Sequence, residues 1–209
     1  MKVLILGGGR VGGSLARELV DNNYDVSVVD LDKAALSYLE ENLDIMTIEG
    51  HAAHPLSIKK SGADDTTTVI AVTSNDEVNL IACQVAKKQF GVKQTICRLG
   101  EESYSENLDI FGEKIIDIVI SPEKEVMRHL KELILHPGAQ QIENFADGKV
   151  NLVNVKAKKK GKLVGRELKG IKEDMPETDA FVASIYRKGK PFIPSGESII
   201  KENDEIYFI

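Results

Sequence analysis

Apolar residues follow two different periodicities in the first 120 residues. Short runs that are nearly continuous in apolar residues alternate with segments in which apolar residues recur every three or four positions. Continuous runs are typical of strands buried on both faces, and the longer period is typical of helices that cover a sheet. The pattern predicts six strands, at residues 3–6, 26–30, 45–48, 67–72, 94–99 and 115–120. Alternating strands and helices indicate an α/β fold, a doubly wound parallel sheet of the Rossmann type.

A longer helix is predicted over residues 122–136, beginning at Pro122 and ending at the sequence His136-Pro137-Gly138. Its apolar positions form a stripe that is too wide for packing against one face of a sheet. The stripe contains Val126, Met127, Leu130, Leu133, Ile134 and Leu135. We therefore expect this helix to pack on its own domain with one face and on a second molecule with the other.

The pattern changes after this helix and predicts a small α+β module. Three segments have the composition of strands, one has helical spacing, and Lys188-Gly189-Lys190 is typical of a hairpin turn. The strands are predicted at residues 150–155, 180–186 and 205–209, and the short helix at residues 163–171. We expect three parts in the chain: a parallel-sheet domain over residues 1–121, a connecting helix over residues 122–139, and the module over residues 140–209.

Charge and composition argue against two classes of partner. The net charge is −6, and the clearest basic run, Lys158-Lys159-Lys160, precedes Gly161, which favours a solvated turn over a contact with nucleic acid. No apolar run approaches the ~18 residues of a membrane span. Cys83 and Cys97 lie in apolar segments, which predicts buried, reduced thiols. We expect a soluble, cytoplasmic chain without direct membrane insertion.

The first predicted strand runs directly into a glycine-rich loop, Gly7-Gly8-Gly9-Arg10-Val11-Gly12-Gly13. Gly7, Gly9 and Gly12 match the pattern G-x-G-x-x-G, in which glycines allow a tight turn, close approach of a pyrophosphate, and close packing of helix on strand. The following helix offers free backbone N–H groups and a partial positive charge at its N-terminus. The loop therefore predicts a dinucleotide or adenine-nucleotide site.

Asp30 ends the second strand, where an acid accepts hydrogen bonds from the hydroxyls of an adenosine ribose. A 2′-phosphate at this position would face both Asp30 and Asp32, and the nearest cation is Lys33. NADP is therefore disfavoured. NAD(H) and ATP or ADP both remain as expected ligands, because all of them carry free ribose hydroxyls.

Further candidate ligand contacts follow other strands. Arg10, inside the glycine loop, is placed to neutralise phosphate oxygens bound to its own subunit or to a neighbouring one; the alternative is a side chain extended into solvent. Thr73, Ser74 and Asn75 follow the fourth strand, where they either contact ribose or phosphate or simply cap the next helix. Arg98 ends the fifth strand and is a candidate for a second phosphate contact.

His51 and His54 follow the third strand, and His51 is a candidate for the nucleotide-site loop. The other interpretation is a pair of ordinary loop histidines, since no second pair or cysteine partner supports a metal site. Catalysis is also not expected. A hydride-transfer enzyme needs an acid or base above the nicotinamide, and the predicted second module contains no His or Cys.

Several segments together resemble the RCK domain family, the regulators of potassium conductance. The resemblance rests on residues 2–13 with Asp30, and on residues 50–52, 71–73, 75–79, 120–123, 137–139, 144–149 and 204–209. The glycine motif occurs in many families, whereas its combination with the later segments is much more specific. Match and order extend over essentially the whole chain.

The resemblance implies a cytosolic regulatory subunit of a potassium uptake system, attached to the inner face of the cell membrane through a membrane-embedded transporter or channel subunit. RCK proteins bind NAD(H) or adenine nucleotides, form dimers and then rings, and gate the pore by rearranging the ring. The implied nucleotide contacts are Gly7, Gly8, Gly9, Arg10, Val11, Asp30, Thr73, Ser74 and Arg98. The alternative from a different class is a small NAD-dependent oxidoreductase, which a substrate-dependent change in nicotinamide absorbance would reveal.

Overall fold

A computed structural model describes residues 1–112, 114–146, 148–159, 161, 163–170 and 180–209. The chain divides into two compact units, Met1–Lys124 and Glu125–Ile209. Among the described residues, no helix has both the length and the hydrophobicity that crossing a membrane requires.

The first unit contains a six-stranded parallel sheet with the strand order β3-β2-β1-β4-β5-β6. Its strands are β1 (Lys2–Leu6), β2 (Asp25–Asp30), β3 (Met46–Glu49), β4 (Thr68–Ala71), β5 (Gln94–Arg98) and β6 (Ile118–Ile120). Its helices are α1 (Arg10–Asp21), α2 (Lys33–Asn42), α3 (Pro55–Lys60), α4 (Asp76–Phe90) and α5 (Glu102–Glu106). The predicted doubly wound Rossmann-type fold is confirmed.

The central strand β1 is buried on both faces, as its apolar sequence predicts. Val3 and Ile5 belong to one apolar core, which also contains buried residues of α1 and α2. Leu4 and Leu6 belong to a second core, which contains buried residues of α3 and α4. Successive side chains of a strand point to opposite faces, so a continuous apolar run satisfies both cores.

The strand order reverses at β1, because β1 pairs with β2 on one side and with β4 on the other. Leu6 pairs with Val29 in β2 and with Ala71 in β4, so the carboxyl ends of the three strands lie at the same level. The loops after these strands therefore meet at one edge of the sheet. In open α/β sheets this reversal point is where ligands bind.

The second unit contains a five-stranded antiparallel sheet with the order β10-β9-β11-β8-β7. Its strands are β7 (Ala139–Phe145), β8 (Val150–Lys156), β9 (Val182–Arg187), β10 (Lys190–Phe192) and β11 (Glu205–Phe208). Ala157, Ile185, Ile200 and Ile206 form its buried core. The helix α6 (Pro122–Leu135) precedes the sheet in the chain and has no fully buried residue.

Two predicted elements need correction, and the second unit contains strands that are not predicted. The sixth strand is shorter than predicted, because the Asp117 carboxylate, rather than a backbone carbonyl, accepts the N–H of Thr95 at 2.7 Å. The strand β7 was not predicted, since few of its residues are apolar. The expected helix over residues 163–171 is replaced by turns and a short 3₁₀ segment at Leu168–Gly170. Gly165 has a left-handed φ of 82°, and its N–H donates to the carbonyl of Ile200. Residue 171 lies outside the described residues.

The hairpin turn is confirmed: Lys188 and Gly189 both have positive φ, and β9 and β10 pair across them.

Candidate nucleotide-binding site

The glycines of the first loop have different physical roles. Gly7 has a φ of 112°, and a Cβ there would lie 2.9 Å from the backbone nitrogen of Thr73. A Cβ on Gly12 would collide with the carbonyl oxygen of Gly7, so this glycine permits the close packing of α1 on β1. A Cβ on Gly9 would meet nothing within 4 Å. Gly7 and Gly12 are therefore required by the fold, whereas Gly9 leaves space open above the loop.

A cavity of about 570 Å³ lies over the carboxyl ends of β1, β2, β4 and β5. Its lining includes most of the predicted site residues: Gly7, Gly9, Arg10, Val11, Asp30, His51, Thr73, Ser74 and Arg98. Gly8 and Gly12 do not line this cavity. Gly8 borders a neighbouring cavity between α1 and α2, and Gly12 is buried under the loop.

The Asp30 carboxylate is fixed by two backbone N–H groups. One oxygen accepts a hydrogen bond from Gly8, and the other accepts from Asp32 at 2.8 Å. The backbone of Gly7 is held to the same strand, because its N–H donates to the carbonyl of Val29 at 2.8 Å. Each carboxylate oxygen can accept more than one hydrogen bond, so Asp30 retains capacity for a pair of ribose hydroxyls.

The cavity has cations at two places. Arg10 is exposed at the start of α1 and has no ion-pair partner among the described residues. Arg98 donates to the carboxylate of Glu123 at 3.1 Å, and both side chains keep access to solvent. No side chain caps the N-terminus of α1, so its first backbone N–H groups are available to a ligand. The lining of the cavity thus combines these positive groups with the carboxylate of Asp30.

Thr73 and His51 are partly committed to bonds within the protein. The Thr73 hydroxyl donates to the side-chain oxygen of Asn79 at 2.7 Å. The Nδ1 atom of His51 accepts the N–H of Ala53 at 3.2 Å, which leaves the proton of the neutral ring on Nε2. Asn79 is not among the predicted site residues and does not line the cavity. Its signals in the sequence are an amide inside an apolar helix pattern and its place in the segment 75–79 of the family resemblance.

The two thiols have no visible role in this site. Cys83 and Cys97 are buried and free, as predicted. A hydrogen bond from the Cys83 thiol to the neighbouring Cys97 sulfur and burial together raise the pKa of Cys83, so its thiol stays protonated. Among the described residues, no group of three His, Cys, Asp or Glu side chains is arranged to hold a metal ion.

Comparison with known proteins gives two family matches. A family described as the TrkA-N domain matches residues 3–122, and one described as the TrkA-C domain matches residues 152–209. The Trk system potassium uptake protein TrkA of Halomonas elongata is 44% identical over 211 residues, and that of Vibrio alginolyticus is 41% identical over 212. These alignments cover 100% of this chain but 46% of each relative. The chain thus spans about half the length of these relatives.

The fold also resembles a solved structure described as the GsuK channel bound to NAD. The TM-score is 0.64 at 18% identity, and the match covers 99% of this chain and 36% of that chain. At this identity the likeness concerns the fold alone.

Proposed function

Because the chain belongs to the TrkA family, with its TrkA-N and TrkA-C domains, we propose that it acts in a cytosolic regulatory subunit of a potassium uptake system. The resemblance to RCK domains found in the sequence is confirmed by these matches. The proposed partner is a membrane-embedded potassium transporter or channel subunit, which would hold the chain at the inner face of the cell membrane. The proposed regulatory signal is the binding of a nucleotide.

The observation that carries the proposal is the convergence of three kinds of group on one cavity. The open space above Gly9 admits a pyrophosphate close to the backbone, Arg10 and Arg98 offer charge to its oxygens, and Asp30 accepts from a ribose. A cavity of about 570 Å³ is within the range of sites for ligands of this size. NAD(H) and ATP or ADP both satisfy this arrangement.

A 2′-phosphate fits the arrangement poorly. The carboxylate of Asp30 lies in the cavity lining, and that of Asp32 accepts the N–H groups of Ala34 and Ala35 at the start of α2. A phosphate on the ribose would face these two charges without a fixed cation beside them. We therefore propose selectivity for NAD(H) over NADP(H).

Nucleotide binding would regulate by shifting an oligomer between two arrangements. A ligand changes such an equilibrium only as far as its affinity differs between the two states. In this proposal the nucleotide contacts one rearranged form of a homo-oligomer, a dimer or a ring, better than the other. The transporter then responds to that form.

Calorimetric titration with NADH, NAD, ATP, ADP and NADPH tests the proposal. We expect saturable binding of at least one nucleotide that lacks a 2′-phosphate: NADH, NAD, ATP or ADP. NADPH should bind at least about tenfold more weakly than NADH, a difference of ~1.4 kcal/mol. Absence of binding for all five nucleotides would overturn the proposed site. Incubation with NADH and a panel of carbonyl substrates separates this function from that of a small oxidoreductase. Only the enzyme would oxidise NADH and so lower its absorbance.

A further inference from the structure

Asn79 is a fully buried amide in the first two turns of α4 that makes four hydrogen bonds. Its side-chain oxygen accepts from the backbone N–H of Thr73 at 2.9 Å and from the Thr73 hydroxyl at 2.7 Å. Its side-chain nitrogen donates to the carbonyl of Thr73 at 3.1 Å and to that of Arg98 at 3.0 Å. An amide has two donor hydrogens and an oxygen with two lone pairs, so every bonding position of Asn79 is occupied.

The partners of Asn79 follow two different strands. Thr73 lies just after β4, and Arg98 is the last residue of β5. Both residues line the nucleotide cavity, whereas Asn79 does not. Asn79 therefore connects two residues of the cavity lining without being part of the lining itself. It can act on a ligand only through these two residues.

The Thr73 end of this connection reaches the glycine loop. The backbone nitrogen of Thr73 lies so close to Gly7 that a Cβ on that glycine would approach it to 2.9 Å. The same N–H donates to Asn79. Displacement of Thr73 would thus move the surface on which the glycine loop packs, and with it the backbone that approaches a pyrophosphate.

The connection also decides what the Thr73 hydroxyl can offer a ligand. A hydroxyl has one proton, and the Thr73 hydroxyl has two acceptors within the protein, the side-chain oxygen of Asn79 at 2.7 Å and the carbonyl of Asn75 at 3.1 Å. The shorter bond, to Asn79, takes the proton. The hydroxyl oxygen also accepts the N–H of Asn75 at 3.3 Å, which leaves one lone pair. Toward the cavity, Thr73 is therefore an acceptor for a ribose hydroxyl or an amide N–H, and not a donor to phosphate.

We propose that Asn79 is a positioning residue of the nucleotide site: it holds Thr73 against the glycine loop as a hydrogen-bond acceptor and ties this wall to the strand end that carries Arg98. This inference rests on the proposed binding of a nucleotide in the cavity. A purely structural role would lower stability without altering the affinity of the folded protein.

A double-mutant cycle with NADH as the ligand tests this role, using Asn79→Ala, Thr73→Val and the double variant of the full chain. Calorimetry is done at a temperature at which circular dichroism shows each variant folded. We expect Asn79→Ala to lower NADH affinity about tenfold, because Thr73 is no longer held in place and its hydrogen bond to the ligand is weakened or lost. Thr73→Val should lower it severalfold, and the double variant should bind no more weakly than Asn79→Ala alone, because interacting residues are not additive.

Two further variants complete the test. Ala82→Gly removes a buried methyl group from the same helix without touching a hydrogen bond, so it should lower Tm while NADH affinity stays within about twofold of the parent. Thr73→Ser keeps the acceptor oxygen and should bind NADH more tightly than Thr73→Val. If Asn79→Ala does not fold, the contrast between Thr73→Ser and Thr73→Val decides, and equal affinities of these two overturn the inference.

The outcomes also separate this inference from the proposed function. Parental affinity in folded Asn79→Ala, or strictly additive effects of the two substitutions, would overturn the positioning role while the nucleotide site stands. A parent that binds none of the five nucleotides would overturn the proposed function, and the positioning role with it.

Discussion

The carboxylate of Asp30 accepts the backbone N–H of Gly8, a residue 22 positions earlier in the chain. Its second oxygen accepts the N–H of Asp32 at 2.8 Å. The side chain that would hold the ribose therefore also accepts one of the hydrogen bonds that shape the glycine loop. A substitution at Asp30 should act on a nucleotide in two ways, by removing a ribose contact and by loosening the loop around the pyrophosphate.

Asp30→Ala should weaken the binding of NADH and of ATP by about ten- to a hundredfold, because a hydrogen bond to a charged group contributes ~1.5–3 kcal/mol. Asp30→Ser should lower the preference for NADH over NADPH, since the charge that repels a 2′-phosphate is gone. Asp32 keeps part of that repulsion, so the change in preference should be incomplete. Calorimetric titration measures both effects.

Asp32→Ala is the matched control. Its carboxylate caps α2, so its loss should cost about 1 kcal/mol of stability. It does not line the cavity, and NADH affinity should change much less than in Asp30→Ala. If both Asp30 variants bind NADH as tightly as the parent, the nucleotide is not held as proposed.

The residues that sequence analysis located best are those fixed by local pattern. The glycine loop and Asp30 are recognisable because a strand, a turn and a helix follow one another with fixed spacing, and the parallel sheet then brings the strand ends together. The register that aligns Leu6 with Ala71 follows from this topology. These features are properties of short segments, and a single sequence displays them.

The features that escaped the sequence depend on distant partners. One of the bonds of Asn79 goes to the carbonyl of Arg98, 19 residues away, and nothing in the helix pattern predicts that bond. The ion pair between Arg98 and Glu123 likewise joins elements far apart in the chain. Residues 163–170 have helical spacing, yet several of their backbone bonds go to residues 196–200, which overrides local preference.

Gly12→Ala should lower the stability of the protein, whereas Gly9→Ala should lower its affinity for NADH. A methyl group on Gly12 collides with the Gly7 carbonyl, so Gly12→Ala should lower stability by about 3 kcal/mol or more. A methyl group on Gly9 meets no protein atom, and φ there is −66°, so stability should change by less than about 0.5 kcal/mol. That methyl group occupies space proposed for the pyrophosphate, and NADH affinity should fall at least about tenfold.

Thermal unfolding and calorimetry of the two glycine variants distinguish these roles. Parental NADH affinity in Gly9→Ala would contradict the proposed position of the pyrophosphate. A parental Tm in Gly12→Ala would contradict the close packing of α1 on β1.

The helix α6 predicts that the protein is at least a dimer. In the single chain, Leu130 is 52% exposed and Ile134 is 78% exposed, and Val126 and Met127 continue the same apolar stripe. Apolar patches of this kind on a helix mark contact surfaces. The double variant Leu130→Glu, Ile134→Glu should be monomeric by light scattering, with NADH binding to each chain retained.

Arg128→Glu changes the net charge by the same amount as the double substitution but alters a residue already paired with Glu125 on the exposed surface of α6. It should leave the oligomeric state unchanged. An unmodified protein that is monomeric at micromolar concentration would contradict the prediction.

In the second unit, Arg187 and Asp204 form a two-point ion pair. The guanidinium donates to the two carboxylate oxygens at 2.9 and 2.7 Å, and the Asp204 side chain is 1% exposed. Arg187 also donates to the carbonyl of Ile199, and Asp204 accepts the N–H of Lys201. The pair therefore links β9 to the turn that leads into β11.

Asp204→Asn should destabilise the second unit in a pH-dependent way. Burial by itself would raise the pKa of Asp204, but the bonds from Arg187 and Lys201 outweigh it and hold this pKa below the ordinary value. A depressed pKa contributes stability that is complete above the unfolded value of about 3.9 and is lost as pH falls through the folded pKa. The cost at pH 7 should be about 3 kcal/mol, the lower end for breaking a buried pair, because Arg187 stays 29% exposed.

In thermal unfolding by circular dichroism, the gap in Tm between parent and variant should be constant from neutral pH to about 4 and shrink below it. Glu125→Gln, which breaks an exposed pair, should show almost no gap. A gap that persists or widens in acid would show that the ionised pair is not the source of this stability.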